Sequence, residues 1–191
     1  MSASITTSLF PLNPPDAAPA ASQPALARLK DSVGAIPNLA AIIATSPTLI
    51  EAFVALRTAF HAHSTFNPAE RELILLTNAV ENGCSYCTAI HTLFARNEGA
   101  ADETVGAIRE RRRPEDPRAA ALVEFDREML RQRGRVDEAS IERFLGAGFA
   151  PVQILELVAA GALSTLANYS GRLTRAPLDE FLKPHALPSA S

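Results

Sequence analysis

The sequence has no tryptophan and only two cysteines, two tyrosines and two methionines among its 191 residues. Two cysteines cannot form the disulfide framework that staples small secreted domains. The longest apolar run, residues 152–166, is interrupted by Gln153, Glu156 and Ser164, and no stretch reaches the roughly 18 apolar residues of a membrane span. No basic flank precedes an apolar run near the N-terminus, as a secretory signal requires. We therefore expect a cytoplasmic protein that does not enter a membrane.

Positive charge is not in excess either. The 18 Lys and Arg residues are balanced by 21 Asp and Glu residues, which gives a formal net charge of -3 at pH 7. Nucleic-acid phosphates attract basic surfaces, so the chain is not expected to bind nucleic acid. The one dense basic run, residues 109–113, falls at a predicted helix end, where cations complement the helix dipole. That run is interpreted as a solvated helix terminus.

Apolar residues make up 47% of the chain, which suits one globular domain. From residue 25 onward the apolar spacing is helical, and the alternation typical of strands is missing. Capping residues precede Pro47, Pro68 and Pro117, which marks three helix starts. The sequence therefore predicts an all-α domain over residues 25–180. Its helices are expected at 24–32, 38–45, 47–63, 68–81, 84–97, 102–111, 117–133, 138–146 and 151–168.

Two terminal segments flank this domain. Residues 1–24 are rich in proline, serine and alanine and carry a single charged side chain, Asp16. Proline prevents a sustained helix or strand, so the segment is predicted to be an extended arm. Its apolar residues, among them Ile5 and Leu9, favour an arm that lies along its own domain or a neighbouring subunit, with complete disorder as the alternative. Residues 181–191 are interpreted as a C-terminal tail.

Glu72 is an acidic residue within an otherwise apolar predicted helix. It shares a stripe with Leu76 and Ala79, so its carboxylate is expected to be buried, where a charge without a partner is costly. Two interpretations remain open. Glu72 is either one half of a buried ion pair, for example with an arginine, or a carboxylate whose proton affinity is raised for acid–base chemistry.

Cys84 and Cys87 form a C-x-x-C pair in the first turn of the next predicted helix. Unpaired N–H groups and the helix dipole stabilise a thiolate there. His91 lies four residues beyond Cys87, so its imidazole shares a helix face with both thiols. This local geometry joins a nucleophilic thiol, a resolving thiol and a base. Tyr86 points to another side and is interpreted as a packing residue.

Zinc binding is a competing use of the same residues. Cys84, Cys87 and His91 would supply three ligands, with His61, His63 or Glu72 as the fourth. Structural zinc sites usually draw their second ligand pair from a separate hairpin or helix, so no metal or other cofactor is expected. The three remaining histidines are interpreted as exposed bystanders: His61, His63 and His185.

The motif resembles the carboxymuconolactone decarboxylase superfamily, specifically its alkyl hydroperoxidase D-like (AhpD-like), peroxidase-related branch. Arg71-Glu72, followed by Cys84-Ser-Tyr-Cys87 and His91, is similar to the R-E...C-x-Y-C-x-x-x-H signature of that branch. The similarity extends over roughly residues 30–172. It implies an AhpD-like helical bundle, with the CxxC site at the N-terminus of a central helix, that assembles into dimers, trimers or hexamers.

The resemblance also implies a chemistry. In the redox members of the family the second cysteine is peroxidatic and the first resolves, which assigns these roles to Cys87 and Cys84, and Glu72 with His91 forms the proton relay. The implied substrates are organic hydroperoxides, and the implied reductant is a lipoyl or thioredoxin-like dithiol. Tyr86 is a departure, because the well-known hydroperoxidases have histidine there. Decarboxylation is not expected, since the lactone decarboxylases lack this cysteine pair as their catalytic centre.

Two other functions remain open. A general thiol–disulfide oxidoreductase would use the same dithiol for exchange, with peroxide reduction incidental. A non-catalytic oligomeric binding module would carry only a vestigial site. A homo-oligomer is also expected. The apolar helices at 49–60 and 152–166, together with the arm, have more apolar surface than the core of a single chain of this size can bury.

Overall fold

The computed structural model describes residues 9–12 and 14–187, and these residues form nine α-helices and no β-strand. The helices are α1 (Gln23–Val33), α2 (Asn38–Ile43), α3 (Pro47–His63), α4 (Pro68–Glu81), α5 (Ser85–Asn97), α6 (Asp102–Arg109), α7 (Pro117–Arg131), α8 (Glu138–Gly146) and α9 (Pro151–Thr174). Three short 3-10 helices flank them, at Pro15–Ala17, Ala20–Ser22 and Glu180–His185. The predicted all-α fold is confirmed.

Side-chain caps set the starts of α3, α4 and α7. Ser46, Asn67 and Asp116 each accept a hydrogen bond from the backbone N–H of the third residue that follows. The proline after each cap lacks an N–H group that the first helical turn does not need. At α4 the cap is reciprocal, because the Glu70 carboxylate accepts from the Asn67 N–H at 3.2 Å. These three starts agree with the sequence prediction.

Helix α4 lies at the centre of the bundle. Its residues are buried without interruption from Glu72 to Val80. The helix contacts α5, α6, α7 and α9, and it contributes side chains to each of the three apolar clusters of the core. Its position follows from its composition, because a helix that is apolar almost all round must be covered on every side.

Helices α4 and α5 form a hairpin across a tight turn. Gly83 has φ of 67°, the left-handed conformation that glycine adopts at no steric cost. Cys84 is the N-cap of α5 and not its first residue, so α5 begins at Ser85. The turn therefore sets the first cysteine of the motif just outside the helix and the second within its first turn.

Helix α9 continues to Thr174, past the predicted end at residue 168. Polar residues interrupt the apolar period there, but Gly171 and Thr174 are buried, so tertiary packing holds the last turns. Among the described residues, α9 is the one helix whose length and composition would suit a membrane span. Its inner face packs against α3, α4 and α5, as in the core helix of a globular domain.

The arm lies partly against its own domain. Ala18 packs on the apolar cluster that includes α1, and the Ser22 hydroxyl donates to the Ala44 carbonyl at 2.6 Å. Leu9 is exposed. Residues 1–8, 13 and 188–191, which include Ile5 of the predicted arm, lie outside the described residues.

The C-terminal segment packs against the domain beyond residue 181, where the sequence predicts a separate tail to begin. Leu182 is completely buried in the core. Arg109 donates to the carbonyl oxygens of His185 and Ala186 at 2.8 and 3.0 Å. The domain therefore continues through Ala186, and Arg109, expected to be solvated, instead fastens this segment to α6.

Candidate functional site

The two thiols lie in contact at the start of α5. Cys84 and Cys87 are free cysteines, each 1% exposed, and their sulfurs are 2.8 Å apart. The Cys87 backbone N–H donates to Cys84 Sγ at 3.3 Å. Cys84 can accept this bond because its backbone is extended, as the N-cap position requires. A sulfur thus takes the place of the oxygen that usually caps a helix.

The two thiols differ in acidity. The hydrogen bond with the Cys87 thiol, with help from backbone N–H groups and the positive charge of Arg172, lowers the pKa of Cys84 against the effect of burial. The hydrogen bond with Cys84 and burial raise the pKa of Cys87 well above that of a free thiol. Cys84 is therefore the more acidic thiol of the pair.

Helix α9 closes the far side of the dithiol. A Cβ atom at Gly171 would lie 2.9 Å from Cys84 Sγ and 3.8 Å from Cys87 Sγ, so the helix approaches this closely only because residue 171 has no side chain. One turn earlier, the Asn168 side chain acts through a hydrogen bond to lower the pKa of Cys87. Asn168 also accepts a bond from Asn82 at 2.9 Å. Sequence reasoning missed this contribution.

Glu72 of α4 and His91 of α5 form a hydrogen-bonded pair beside the thiols. His91 Nδ1 lies 2.8 Å from Glu72 Oε2, and Glu72 is 5% exposed. Burial acts to raise the pKa of Glu72, but the hydrogen bond to His91 and the surrounding positive groups outweigh it and lower the pKa overall. The expected burial is confirmed. Of the two interpretations left open, a raised proton affinity is wrong, and Glu72 is instead paired, with a histidine in place of the arginine given as an example.

The hydrogen bond to Glu72 also fixes the role of each imidazole nitrogen. Since Nδ1 of His91 is engaged by the carboxylate, Nε2 is the nitrogen left to exchange protons, and it has no hydrogen bond within the described part of the chain. The His91 side chain is 18% exposed. The pair therefore combines a buried anion with an imidazole that reaches the edge of the site.

His61 of α3 belongs to the site, so its assignment as an exposed bystander is wrong. His61 Nε2 lies 4.0 Å from Glu72 Oε1. Burial and the positive charge of Arg57 lower the pKa of His61 to about 4, so its imidazole is neutral near pH 7. His63 is exposed as expected. His185 is only partly exposed, because its segment packs against the domain.

A cavity of about 70 Å³ connects these groups. Cys87, His91, Glu72 and His61 line it, whereas Cys84 does not. The remaining wall is mostly apolar, and its larger members are Leu29, Val33, Leu39, Ile43, Phe53, Leu75, Ile90, Phe94 and Leu163. The cavity thus offers an apolar compound one thiol and one imidazole–carboxylate pair. No group of three or more His, Cys, Asp or Glu side chains within 9–12 and 14–187 is placed to hold a metal ion.

Tyr86 holds the cavity wall together. Its hydroxyl donates to Asp179 Oδ2 at 2.5 Å, and the Leu39 N–H points to the same hydroxyl at 3.4 Å. Asp179 also accepts from the Asn38 N–H at 3.2 Å, which joins the C-terminal segment to the start of α2. Burial and the Asp179 carboxylate raise the pKa of Tyr86 far above its ordinary value. Tyr86 is buried, but it lines the same cavity as Cys87 and His91, so the prediction that it points to another side is wrong.

Part of the chain, including the site, matches a known protein family. Residues 47–128 match the model of the carboxymuconolactone decarboxylase family. This range runs from α3 into α7 and includes Glu72, both cysteines and His91. No curated protein matches the sequence significantly.

Solved structures share the fold over almost the whole chain. The AhpD core of a peroxidase-related protein from Ralstonia eutropha JMP134 has a TM-score of 0.79 at 20% identity and covers 91% of this chain and 93% of its own. A peroxidase-related protein from Silicibacter sp. TM1040 has a TM-score of 0.74 at 20% identity and covers 91% of each chain. The debrominase Bmp8, solved in complex with 2,3,4-tribromopyrrole, has a TM-score of 0.76 at 17% identity and covers 95% of this chain and 97% of its own. The central part of the chain, residues 47–128, therefore matches the carboxymuconolactone decarboxylase family, and the chain as a whole has the fold of AhpD-like, peroxidase-related proteins.

Proposed function

We propose that this protein reduces organic hydroperoxides with its Cys84–Cys87 dithiol. One observation carries the proposal: Cys87 opens onto an apolar cavity that also holds the His91–Glu72 pair. The apolar wall suits the organic part of the substrate. The adjacent sulfurs supply the two electrons that cleavage of an O–O bond requires. The match of residues 47–128 to the carboxymuconolactone decarboxylase family and the AhpD-like fold support this choice of chemistry.

The first step is attack of the Cys87 sulfur on the terminal oxygen of the hydroperoxide. An S–O bond forms, the O–O bond breaks, and Cys87 becomes a sulfenic acid while an alkoxide leaves. Cys87 must first lose its proton. Cys84, the more acidic thiol, loses its own proton first, and its thiolate, 2.8 Å from the Cys87 sulfur, then accepts the Cys87 proton. Cys84 thus acts as a base before it acts as the resolving thiol.

His91 supplies the proton that the leaving alkoxide needs. Glu72 holds Nδ1 at 2.8 Å, which orients the ring and leaves Nε2 as the donor. Proton transfer from Nε2 converts the alkoxide into an alcohol, and a proton from solvent restores the imidazole later in the cycle. Without this donor a poorly stabilised alkoxide would have to leave into an apolar cavity.

The second step forms the disulfide. The Cys84 sulfur attacks the sulfenic sulfur of Cys87, an S–S bond replaces the S–O bond, and water leaves. The sulfurs are already in contact, so this step needs little movement of the helix start. A lipoyl or thioredoxin-like dithiol then returns the pair to its reduced form by thiol–disulfide exchange.

Stopped-flow oxidation of the reduced protein by cumene hydroperoxide tests the proposal. We expect one equivalent of peroxide to be consumed per dithiol, with an intramolecular disulfide as the product. Cys84→Ser should react more slowly and stop at a sulfenic acid that dimedone traps on Cys87. Undiminished turnover in Cys87→Ser would overturn the assignment.

Access to the sulfurs favours a small oxidant over a protein disulfide. Both cysteines are 1% exposed in the reduced protein, and Cys87 lines the cavity, so a small oxidant reaches the dithiol more readily than the disulfide of a folded partner does. Competition between peroxides and lipoyl disulfides separates the two functions. Since a debrominase shares the fold, 2,3,4-tribromopyrrole is a suitable comparison substrate. Faster thiol oxidation by either competitor than by any hydroperoxide would replace the proposed function.

A further inference from the structure

The cavity wall holds a charged side chain that the peroxide chemistry does not use, Arg57 of α3. Phe53, Arg57 and His61 follow one another at intervals of four residues, so all three face the cavity from the same stripe of the helix. Arg57 is neither exposed nor fully buried. Its guanidinium therefore lies where an apolar wall meets the polar groups of the site.

Arg57 has few partners for its five N–H donors. Its one hydrogen bond to a described residue runs from Nη1 to the Ser32 hydroxyl at 3.1 Å, and it forms no salt bridge with a described carboxylate. Burial lowers the pKa of Arg57, but a guanidinium stays charged in a folded protein. The cavity therefore contains a cation whose bonding capacity is largely unused, and such a group is costly to desolvate without an anion.

Glu72 acts on Arg57 through its charge but forms no hydrogen bond or salt bridge with it. Its carboxylate is bound to His91 at 2.8 Å, and its other oxygen faces His61 at 4.0 Å. His61 is neutral near pH 7 and brings no compensating charge to Arg57. The guanidinium thus remains available to a ligand, while Glu72 keeps its partner in the proton relay.

We infer that the cavity binds small organic acids, with the apolar body against the cavity wall and the carboxylate paired with Arg57. The planar guanidinium offers two parallel N–H donors that match a carboxylate, which a single ammonium group cannot do. The cavity volume of about 70 Å³ is roughly half of the 150 Å³ that hold a benzene molecule, so only a few carbon atoms are enclosed. The inference rests on the proposed function in one respect: the preferred hydroperoxides then carry an acid group.

Binding of hexanoate and of its neutral isostere hexanamide to the reduced protein, measured by isothermal titration calorimetry, tests the inference without turnover. We expect hexanoate to bind at least tenfold more tightly. Arg57→Gln should abolish this preference, and Arg57→Lys should keep part of it. The matched control is Arg28→Gln, because Arg28 is an exposed arginine of α1 that pairs with Glu51 at 2.6 Å and does not line the cavity.

Equal affinity of the wild-type protein for hexanoate and hexanamide would overturn the inference. So would a loss of the preference in Arg28→Gln as large as the loss in Arg57→Gln. Thermal melting of each variant shows that it is folded. If Arg57→Gln does not fold, Arg57→Lys still carries the test, because it preserves the charge and removes only the paired donors.

Kinetics separate this inference from the proposed function. The ratio of kcat/KM for a carboxylated hydroperoxide to that for its methyl ester should exceed ten in the wild type and in Arg28→Gln, and should approach one in Arg57→Gln. Acid-selective binding without any peroxide turnover would refute the proposed function and support the anion site. Turnover with no acid preference in binding or rate would support the function and refute the site.

Discussion

The Glu72 carboxylate ties His91 to its proposed task through one hydrogen bond of 2.8 Å. Glu72→Gln keeps the shape of the side chain but replaces the carboxylate that holds His91 Nδ1 with a neutral amide. We expect kcat/KM for cumene hydroperoxide to fall by about tenfold or more, as is typical when general acid catalysis is weakened. Alkylation of the thiols by iodoacetamide should change far less, because iodide leaves without a proton.

The comparison of these two rates in one variant identifies what the pair does. Equal slowing of both reactions would mean that Glu72 and His91 act on thiol ionisation and not on the alkoxide. Unchanged rates beside a lower melting temperature would reduce Glu72 to a structural residue.

Asp126 is a buried acid outside the proposed site. It is completely buried, its Oδ2 accepts from Asn78 Nδ2 at 2.8 Å, and neither Asp126 Oδ1 nor Asn78 Oδ1 has a partner in the described part of the chain. Burial raises the pKa of Asp126 well above its ordinary value. The native state thus holds a proton that the unfolded state releases. Protonated Asp126 therefore contributes fully to the free energy of unfolding below its unfolded pKa of 3.8. This contribution is lost as the pH rises through the folded pKa of Asp126.

Asp126→Asn should remove the loss of stability at rising pH, because an amide does not ionise. The new amide also supplies an N–H donor to Asn78 Oδ1. We expect the variant to be more stable than the wild type by about 1–2 kcal/mol at pH 7, with the difference shrinking toward zero near pH 4. Urea unfolding over that pH range measures it. A variant that is less stable at every pH would show that the Asp126 charge is needed, with Arg127 as the nearby cation.

At the scale of elements, the close approach of α9 to the dithiol depends on Gly171. A Cβ atom there would meet Cys84 Sγ at 2.9 Å, too close for two nonbonded atoms. Gly171→Ala is expected to cost about 1–3 kcal/mol in stability through overpacking and to change the alkylation rate of the dithiol. Thermal melting and iodoacetamide kinetics measure the two effects.

Gly161 on the same helix is the matched control. A Cβ atom there would contact Leu130 Cδ2 at 3.8 Å and Asn78 Oδ1 at 3.9 Å, which are ordinary distances. Gly161→Ala should therefore be neutral or stabilising by up to about 1 kcal/mol, because alanine favours the helix. Equal melting temperatures for the two variants would contradict the proposed contact at Gly171.

Helix periodicity explains which parts of the site were predictable. Cys84, Cys87 and His91 share one local face, and the burial of Glu72 follows from the apolar composition of α4. His61, Arg57 and the α9 residues enter the site from helices distant in sequence. Periodicity shows which residues share a face, but it does not show what that face opposes. His61 was therefore misassigned, and the N-cap position of Cys84, on which its acidity depends, was not foreseen.

Helix and domain boundaries were likewise predictable only where local sequence encodes them. The starts of α3, α4 and α7 were predicted because a cap and a proline encode them locally. The end of α9 and the packing of the C-terminal segment were not. They depend on tertiary contacts of Gly171 and Leu182, which no local pattern encodes.

At the scale of the whole molecule, α3 and α9 differ in how they place their apolar residues. Helix α3 buries Ile50, Val54 and Phe60 within the chain. Helix α9 leaves large apolar side chains exposed along its length, at Val152, Leu155, Val158, Tyr169 and Leu173. We call these five residues the α9 stripe. They extend over the helix in steps close to whole turns, so they form one surface, whose contact with water is unfavourable.

We expect this stripe to pair with a second copy of the chain, because only association covers it without unfolding the domain. Light scattering at micromolar concentration should then give a multiple of the 20.4 kDa chain mass. Leu155→Glu places a charge at the most exposed apolar residue of the stripe, 71% exposed, and should shift the protein to monomers. Phe181→Glu is the control, because Phe181 is an exposed apolar residue of the C-terminal segment, outside the stripe. A wild-type protein of 20.4 kDa, or equal dissociation by both substitutions, would reject the stripe as the subunit interface.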